Sequence, residues 1–329
     1  MSFKVIQYGL GAIGKEVAKS LAQRVGFELV GAIDVAADKI GKDLGQVLSI
    51  PSLGGIIVSD KPEEVFGQVR ADVVTHTTGS FLDQVYPQLE PIIKAGINVI
   101  STSEELSFPW YHHPDLAEKI EHLAQEHGVT VLGTGVNPGF VMDELVLSLA
   151  SVCRKVERVQ VKRILDAGKR RGPLQKKVGA GITVREFQER VKSKTIGHVG
   201  LAESVAFIAG GLGWKLESIN ETISPVLSDR DVQTEFVQVS KGRVAGIKMQ
   251  AFGKANGKEV IALELQMYVG AESSYDSIYL EGDPGLKTKI EGGVPGDKAT
   301  VAKVINSIPR VVHEKPGLLR PINMGLIQT

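Results

Sequence analysis

A glycine-rich stretch near the start of the chain constrains the fold more than any other feature. GLGAIG (9–14) follows the apolar run KVIQYG (4–9) and opens IGKEVAKSLAQR (13–24), whose apolar residues recur at helical spacing. A second apolar run, ELVGAID (28–34), ends in Asp34. A strand, a glycine turn, a helix and a second strand in this order are typical of a dinucleotide-binding βαβ unit. The sequence therefore predicts that the chain begins with such a unit.

The residues of this fingerprint have distinct expected roles. Gly9 makes a tight turn, Gly11 lets the backbone approach a pyrophosphate, and Gly14 allows close helix packing. Asp34 is expected to bind the adenosine ribose hydroxyls and to repel a 2′-phosphate, and the next residues, 35–37, supply no cation. The pattern favours NAD, with NADP as the alternative, and a cofactor-free domain with the same turn stays open. The residues predicted here to bind cofactor are Gly9, Leu10, Gly11, Ala12, Ile13, Gly14 and Asp34.

Short apolar runs alternate with amphipathic helical patterns over the first ~135 residues, which predicts βαβ units and a parallel sheet covered on both faces. The predicted strands are 4–9, 28–34, 71–78, 98–102 and 129–135, and the predicted helices are 13–24, 62–69, 82–96 and 113–128.

The character of the sequence changes after VNPGF (136–140). Longer stretches with period-two alternation predict strands of an open sheet covered on one face. These stretches are 156–165, 234–270 and 275–282, and helices are predicted at 184–194, 200–214 and 297–308. The predicted fold class is α/β, a doubly wound Rossmann domain followed by a second α+β domain with an open, largely antiparallel sheet.

Composition limits the partners of the chain. The 329 residues carry 38 Lys plus Arg and 38 Asp plus Glu, so the formal net charge is zero. This balance argues against a nucleic-acid or acidic-membrane partner. Cys153 is the single cysteine, so neither an internal disulfide nor a thiolate metal cluster is expected. No apolar run approaches the roughly 18 residues of a membrane span, and the sequence is typical of a cytoplasmic protein.

Three loops are expected at the carboxyl ends of the predicted strands, where open α/β sheets bind ligands. THTTGS (75–80) and GTGVNPG (133–139) consist of small and hydroxylated residues that let backbone amides approach a ligand, or simply make turns. The first of these loops adds Thr77, Thr78 and Gly79 to the predicted cofactor site, and its His76 is interpreted as a structural hydrogen bonder.

The third loop, STSEEL (101–106), places Glu104 and Glu105 after the fourth strand. A glutamate beside the nicotinamide can act as a general base. Neighbouring residues on an extended chain point opposite ways, so at most one should face the cleft. Spacing does not say which one is catalytic, and solvated loop acids are the alternative.

Positive charge is concentrated in RILDAGKRRGPLQKKVGAG (163–181). An arginine there is suited to a substrate carboxylate, and a solvated loop or subunit contact is the alternative. His198 is expected either to bind substrate or to cap the following helix. No set of residues shows the spacing of a metal site with three or four ligands.

Taken together, these motifs resemble the 2,4-diaminopentanoate dehydrogenases and the related native amine dehydrogenases. The resemblance runs nearly end to end. It rests on YGLGAIGKEVAKSL, VVTHTTGSF, STSEELSFPW, GTGVNPGFVMD, DAGKRRGPLQKKVGAG, GHVGLAES, YDSIYLEGDP and GGVPGDKAT. The N-terminal half is similar, more loosely, to dihydrodipicolinate reductase and homoserine dehydrogenase.

The resemblance implies a Rossmann domain of residues 1–137 with 296–329 and a substrate-binding and dimerisation domain of residues 138–295. It implies that NAD(P)⁺ takes hydride from an amine-bearing carbon and that water hydrolyses the imine to a ketone and ammonia, with reductive amination in reverse. The catalytic glutamate maps to Glu104 or Glu105, Asn306 to the cofactor and pocket, and a homodimer is expected. The implied substrate-binding residues are Asn137, Met142, Arg163, Arg170, His198 and Ala302.

Two rival functions remain open at this point. One is an amino-acid biosynthetic dehydrogenase or reductase of the homoserine dehydrogenase or dihydrodipicolinate reductase type. Acids stand where the first has its lysine, and the histidine pair and lysine of the second are missing, which argues against both. The other rival is a non-catalytic NAD-binding regulator, which would not need the paired acids. Whether the substrate carries a carboxylate is also open.

Overall fold

The computed structural model describes residues 2–320, and the chain divides into two compact units. The first unit takes the chain up to Phe140 and again from Pro295 onward, and the second unit spans Val141–Val294. Phe140 belongs with the first unit, where its ring lies 5.3 Å from the Lys303 ammonium. The predicted limits, after residue 137 and before residue 296, fall close to these divisions.

The first unit is built on a parallel sheet of seven strands in the order β15-β6-β5-β4-β1-β2-β3. Most of the inner strand residues are fully buried because helices cover both faces of a parallel sheet. The strands are β1 (Phe3–Tyr8), β2 (Phe27–Ile33), β3 (Val58–Ser59), β4 (Val73–His76), β5 (Asn98–Ser101), β6 (Thr130–Gly133) and β15 (Gly317–Leu319).

Two hydrophobic cores lie on the two faces of this sheet. One core joins the strands to α1, α2 and α10, and the other joins them to α3, α4 and α5. The strand order reverses between β1 and β4, so their carboxyl ends form the topological switch point at which doubly wound sheets bind ligands. The helices are α1 (Ala12–Gln23), α2 (Leu44–Leu48), α3 (Pro62–Gln68), α4 (Leu82–Lys94), α5 (Pro114–Glu126) and α10 (Gly296–His313).

The second unit is built on a six-stranded sheet in the order β14-β13-β7-β12-β11-β8. Its neighbouring strands are antiparallel except for β7 and β12, which run parallel. The strands are β7 (Lys155–Asp166), β8 (Ser218–Leu227), β11 (Val244–Ala255), β12 (Lys258–Tyr268), β13 (Tyr275–Asp283) and β14 (Leu286–Glu291), with a separate pair, β9 (Val232–Gln233) and β10 (Gln238–Val239). The helices are α6 (Glu144–Ala150), α7 (Gly172–Lys177), α8 (Val184–Lys192) and α9 (Leu201–Leu212).

The predicted fold class is confirmed. The stretch predicted as alternating over 234–270 is divided into β10, β11 and β12. Asn256 and Gly257 join β11 to β12 with φ of 51° and 71°, as a tight hairpin turn of this composition requires. Among the described residues, we find no helix with both the length and the apolar character needed to cross a bilayer.

Candidate active site

The glycine loop after β1 is fixed by buried polar side chains. The backbone amide of Gly9 donates to Ile33 O at 2.8 Å, with φ of +90° at Gly9. The Gly9 carbonyl accepts from Gln7 Nε2 at 2.8 Å and from Thr77 Oγ1 at 2.9 Å. Thr75 in turn donates to Gln7 Oε1 at 2.8 Å. Side chains of β1 and β4 therefore hold the loop at the switch point.

The three glycines fit a bound dinucleotide. A Cβ on Gly11 would meet no atom within 4 Å, so a ligand can approach its backbone closely. A Cβ on Gly14 would lie 1.9 Å from Gly9 O, which only glycine avoids. Gly11 caps α1, and Ala12 and Ile13 open its first turn, where backbone amides bind anions. The predicted cofactor loop thus has the shape that a pyrophosphate needs.

Asp34 is buried at the end of β2 and accepts three hydrogen bonds. Its Oδ2 accepts from Leu10 N at 2.6 Å and from Lys39 Nζ at 3.0 Å, and its Oδ1 accepts from Ala36 N at 2.8 Å. Burial alone would raise the pKa of Asp34, but the two amides and the Lys39 ammonium lower it below its ordinary value. Residues 35–37 supply no cation, but a turn brings the ammonium of Lys39 back onto Asp34.

The loop after β4 is anchored by His76. The buried ring forms a hydrogen bond through Nδ1 with Ser101 Oγ (2.9 Å). Its Nε2 forms hydrogen bonds with Gln88 Oε1 (2.8 Å) and Thr78 Oγ1 (2.9 Å). Burial lowers the pKa of His76 to about 4, so the ring is neutral at pH 7. His76 is therefore a structural hydrogen bonder. Thr77, Thr78 and Gly79 follow it on the partly exposed rim.

The paired acids do not lie on an extended chain. Glu104 has helical φ and ψ of −62° and −43°, and a 3-10 turn covers Glu105–Ser107. The premise of opposite-facing neighbours was wrong, because the chain coils at once: Leu106 N donates to Ser103 O and Ser107 N to Glu104 O, both at 3.2 Å.

The two acids differ in their surroundings. Glu105 Oε2 accepts from the backbone amide of Leu82, the first residue of α4, at 2.7 Å. It also contacts His113 Nε2 at 2.8 Å, and the Glu105 side chain is only 12% exposed. Glu105 thus joins the start of α4 to the residue before α5. Glu104 is partly exposed at the carboxyl end of β5.

The loop after β6 carries polar atoms suited to a ligand. Thr134 N donates to Ser101 O at 2.9 Å, which places this loop beside the end of β5. Among the residues that the structure describes, the buried atoms Thr134 Oγ1 and Asn137 Oδ1 have no hydrogen-bond partner. An unsatisfied buried polar group costs about 1–3 kcal/mol, so a ligand that pairs with both atoms would gain affinity.

Basic residues cluster in the second unit. Arg163 is 1% exposed, and its Nη1 donates to Asp276 Oδ1 at 2.5 Å while its Nη2 donates to Val294 O at 2.7 Å. Burial lowers the pKa of Arg163, and the nearby charge of Arg170 lowers it further. Burial, Lys177 and Arg163 lower the pKa of His198 to about 4. The structure therefore brings Arg163, Arg170 and His198 into one region of the second unit.

Four predicted site residues are buried or have protein partners in the structure. Met142 is 0% exposed and Arg163 has partners of its own, so neither side chain is presented to a substrate. Leu10 gives its amide to Asp34 and buries its side chain, which leaves no group for a phosphate. Asn306 accepts from Arg24, which follows the last residue of α1, at the end of that helix opposite the glycine loop.

Ala302 is exposed on α10. Three residues that position or complete the site were missed by sequence reasoning: Gln7, Lys39 and Thr134. Gln7 is a polar residue within a buried strand, which is a recognisable signal. Lys39 lies five positions after Asp34, and only the intervening turn shows that it returns.

Comparison with known proteins identifies relatives of both units. Residues 140–329 match the model of the 2,4-diaminopentanoate dehydrogenase C-terminal domain. Residues 3–134 match the model of the dihydrodipicolinate reductase N-terminus.

Individual relatives match along the whole chain. The 2,4-diaminopentanoate dehydrogenase of Acetoanaerobium sticklandii is 34% identical, covering 98% of this chain and 93% of that protein. An amine dehydrogenase of Streptomyces virginiae is 21% identical over 98% of this chain and 96% of its own. The solved structure of an amine dehydrogenase from Mycobacterium smegmatis superposes with a TM-score of 0.87 at 25% identity, covering 100% of this chain and 98% of that one.

Proposed function

Because the chain belongs to the 2,4-diaminopentanoate dehydrogenase family, we propose that it oxidises the amine of 2,4-diaminopentanoate or a related compound. The amine-bearing carbon gives a hydride to NAD⁺ and becomes an imine. Water adds to the imine carbon, and the adduct releases ammonia and leaves a ketone. In reverse, the enzyme aminates a ketone or aldehyde reductively. The observation that carries this proposal is Glu104, which lies at the carboxyl end of β5 on the same edge of the sheet as the glycine loop.

The nicotinamide cofactor accepts the hydride when it is bound. The glycine loop, with the amides of Gly11, Ala12 and Ile13, holds its pyrophosphate, and Asp34 binds its adenosine ribose. Asp34 supports NAD as the preferred form. Thr77, Thr78 and Gly79 form the rim beside it, and Thr134 and Asn137 are available to pair with polar groups of nicotinamide or substrate.

Glu104 acts as the general base of the reaction. Its carboxylate takes a proton from the alkylammonium substrate and releases it to solvent before hydride transfer. It then takes a proton from the water that attacks the imine and gives it to the nitrogen that leaves as ammonia. Glu105 is less suited to this role because the Leu82 amide and His113 already occupy its carboxylate.

The basic region of the second unit supports a substrate with a carboxylate. Asp276 balances the charge of Arg163, and Arg170 adds positive charge close to Arg163, which favours an anionic group on the substrate. An amine that also carries a carboxylate, as 2,4-diaminopentanoate does, has the matching charge.

The rival reductase functions are less well supported. The family model of the dihydrodipicolinate reductase N-terminus covers residues 3–134, whereas the family model that covers the whole second unit is that of the 2,4-diaminopentanoate dehydrogenase C-terminal domain. A non-catalytic regulator would not need an acid at the position of Glu104.

We further propose that the enzyme is a cytoplasmic homodimer. The single cysteine supports the reducing compartment. The half-buried face of the second sheet supports the dimer, because it carries an ordered charge cluster in which Glu264 lies 3.0 Å from both Lys162 and Lys248. Sedimentation of the purified protein tests the proposed dimer.

The direct test of the activity is NADH formation by the purified protein with 2,4-diaminopentanoate and a panel of carboxylate-free amines. We expect ammonia release equimolar with NADH, and ammonia-dependent NADH oxidation with the matching ketone. Arg170→Ala should slow turnover of diaminopentanoate more than that of a simple amine. NADH formation with homoserine without release of ammonia, or no NADH formation with any amine of the panel, would contradict the proposal.

A further inference from the structure

Lys39 occupies a position at which dinucleotide sites distinguish two cofactors. The chain leaves β2 and turns back on itself, with Lys39 N donating to Ala36 O at 2.9 Å and Ile40 N donating to the same oxygen at 3.1 Å. This turn lays the Lys39 ammonium 3.0 Å from Asp34 Oδ2. The side chains of the pair are only 15% and 9% exposed, so water screens their interaction weakly.

The acceptor capacity of Asp34 is nearly used. A carboxylate offers about four lone-pair positions. Leu10 N and Lys39 Nζ occupy Oδ2, and Ala36 N occupies Oδ1. The two amides belong to the glycine loop and to the turn and cannot leave without unfolding them. Lys39 is the one partner of the three on a flexible stem. A ribose with two hydroxyls needs two acceptor positions on Asp34. About one is still open, so the ribose competes with Lys39 for the other.

We propose that Lys39 sets the cofactor range of this chain by exchanging partners at Asp34. With NAD, the ribose hydroxyls take Asp34 and the ammonium withdraws toward solvent. With NADP, the ammonium stays between the Asp34 carboxylate and the 2′-phosphate and offsets their repulsion, since it has three donors. The inference rests on the proposed nucleotide site. It predicts that the protein binds both cofactors, and that Lys39 strengthens the binding of NADP and weakens the binding of NAD.

Equilibrium binding of NADH and NADPH to the whole protein, followed by nicotinamide fluorescence, tests this exchange. Lys39→Gln should weaken NADPH binding by about ten- to a hundredfold, the effect of losing one charged hydrogen bond. The same change should leave NADH binding equal or up to about threefold tighter, because a competitor of the ribose is gone. Lys39→Arg should retain NADPH binding. Lys42→Gln, which alters an exposed lysine of the same loop, is the matched control and should change neither.

The outcomes separate this inference from the proposed function. Lys39→Gln with unchanged NADPH affinity, or with equal losses for both dinucleotides, overturns the role of Lys39 while the function stands. Tight NADH binding by Lys39→Gln also shows that the variant is folded. Failure of the unchanged protein to bind either dinucleotide overturns both. Added salt provides a second readout: it should weaken NADPH binding more in the unchanged protein than in Lys39→Gln.

Discussion

At the scale of single residues, two adjacent glutamates have different surroundings. Glu105 accepts the first backbone amide of α4 and contacts His113. The first amides of a helix have no partner within the helix, so the carboxylate acts as an N-terminal cap supplied from another part of the chain. Glu104 is partly exposed at the same sheet edge. Glu105 stabilises the fold, and Glu104 is the residue for which we propose the catalytic role.

Glu105→Ala should therefore affect stability. The change removes a charged acceptor from the Leu82 amide and from His113, and we expect the free energy of unfolding to fall by about 1–3 kcal/mol. Glu105→Gln keeps an acceptor oxygen and should lose less. Glu90→Ala, which breaks an exposed ion pair with Lys94 on the same helix, is the control and should cost less than about 1 kcal/mol. Denaturant unfolding gives all three values, and a smaller loss for Glu105→Ala than for Glu90→Ala would refute the capping role.

At the scale of secondary-structure elements, buried charge joins strands to the segment that leaves them. Asp276 on β13 accepts from Arg163 on β7 through Oδ1 and from Val294 N through Oδ2. Arg163 also donates to Val294 O. The buried Arg163–Asp276 pair therefore forms hydrogen bonds with both backbone polar groups of Val294, the last residue of the second unit.

Arg163→Met should lower the free energy of unfolding by about 3–5 kcal/mol, because it leaves the Asp276 carboxylate buried without a counter-charge. The double variant Arg163→Met with Asp276→Asn should recover part of that loss. Arg158→Met removes a half-exposed pair from the same strand and should cost about 1 kcal/mol or less. A mild Arg163→Met variant that loses activity only on carboxylate-bearing substrates would instead return Arg163 to the substrate site.

Elements with a strong local signal were predictable from the sequence. The predicted helix at 13–24 is α1 (Ala12–Gln23), and the predicted strand at 98–102 is β5 (Asn98–Ser101). Hydrophobic periodicity and glycine stops lie within those segments themselves. The short or edge elements α2, α6, α7, β8, β14 and β15 were not predicted, since pairing with distant segments stabilises them. β15, for example, depends on β6 far back in the chain.

The site residues also divide into those with a local sequence signal and those that depend on distant segments. The glycine loop and Asp34 follow from local spacing and could be recognised directly. The partners of Glu105 come from α4 and from the residue before α5, so no spacing argument could separate it from Glu104. Lys39 was missed because its approach to Asp34 depends on a turn that the residue types do not specify.

At the scale of the whole molecule, buried neutral histidine makes folding sensitive to acid. Burial lowers the pKa of His76 to about 4, from an ordinary value of 6.5. In the unfolded chain the ring therefore binds a proton below pH 6.5, whereas in the folded chain it does so only near pH 4. Stability is lost as the pH falls through this window, by about 2 kcal/mol at pH 5 from this residue.

His76→Gln should reduce that sensitivity. The variant is less stable than the unchanged protein at pH 7, because it loses ring contacts with Ser101, Thr78 and Tyr8. The difference in unfolding free energy between the two proteins should shrink by about 2 kcal/mol between pH 7 and pH 5. Denaturant titrations at the two pH values measure it. A difference that is constant or grows on acidification would show that His76 is not the buried neutral group described.

The most direct test of the central claim is the steady-state rate of amine oxidation by Glu104→Gln at saturating amine and NAD⁺. A positioned general base contributes about 10²- to 10⁴-fold, so we predict a loss of kcat on that scale with NADH affinity unchanged. Glu105→Gln, one residue away, should keep a rate within about tenfold of the unchanged protein. If Glu104→Gln retains most of its rate, or if Glu105→Gln shows the large loss instead, Glu104 is not the general base and the proposed site is wrong.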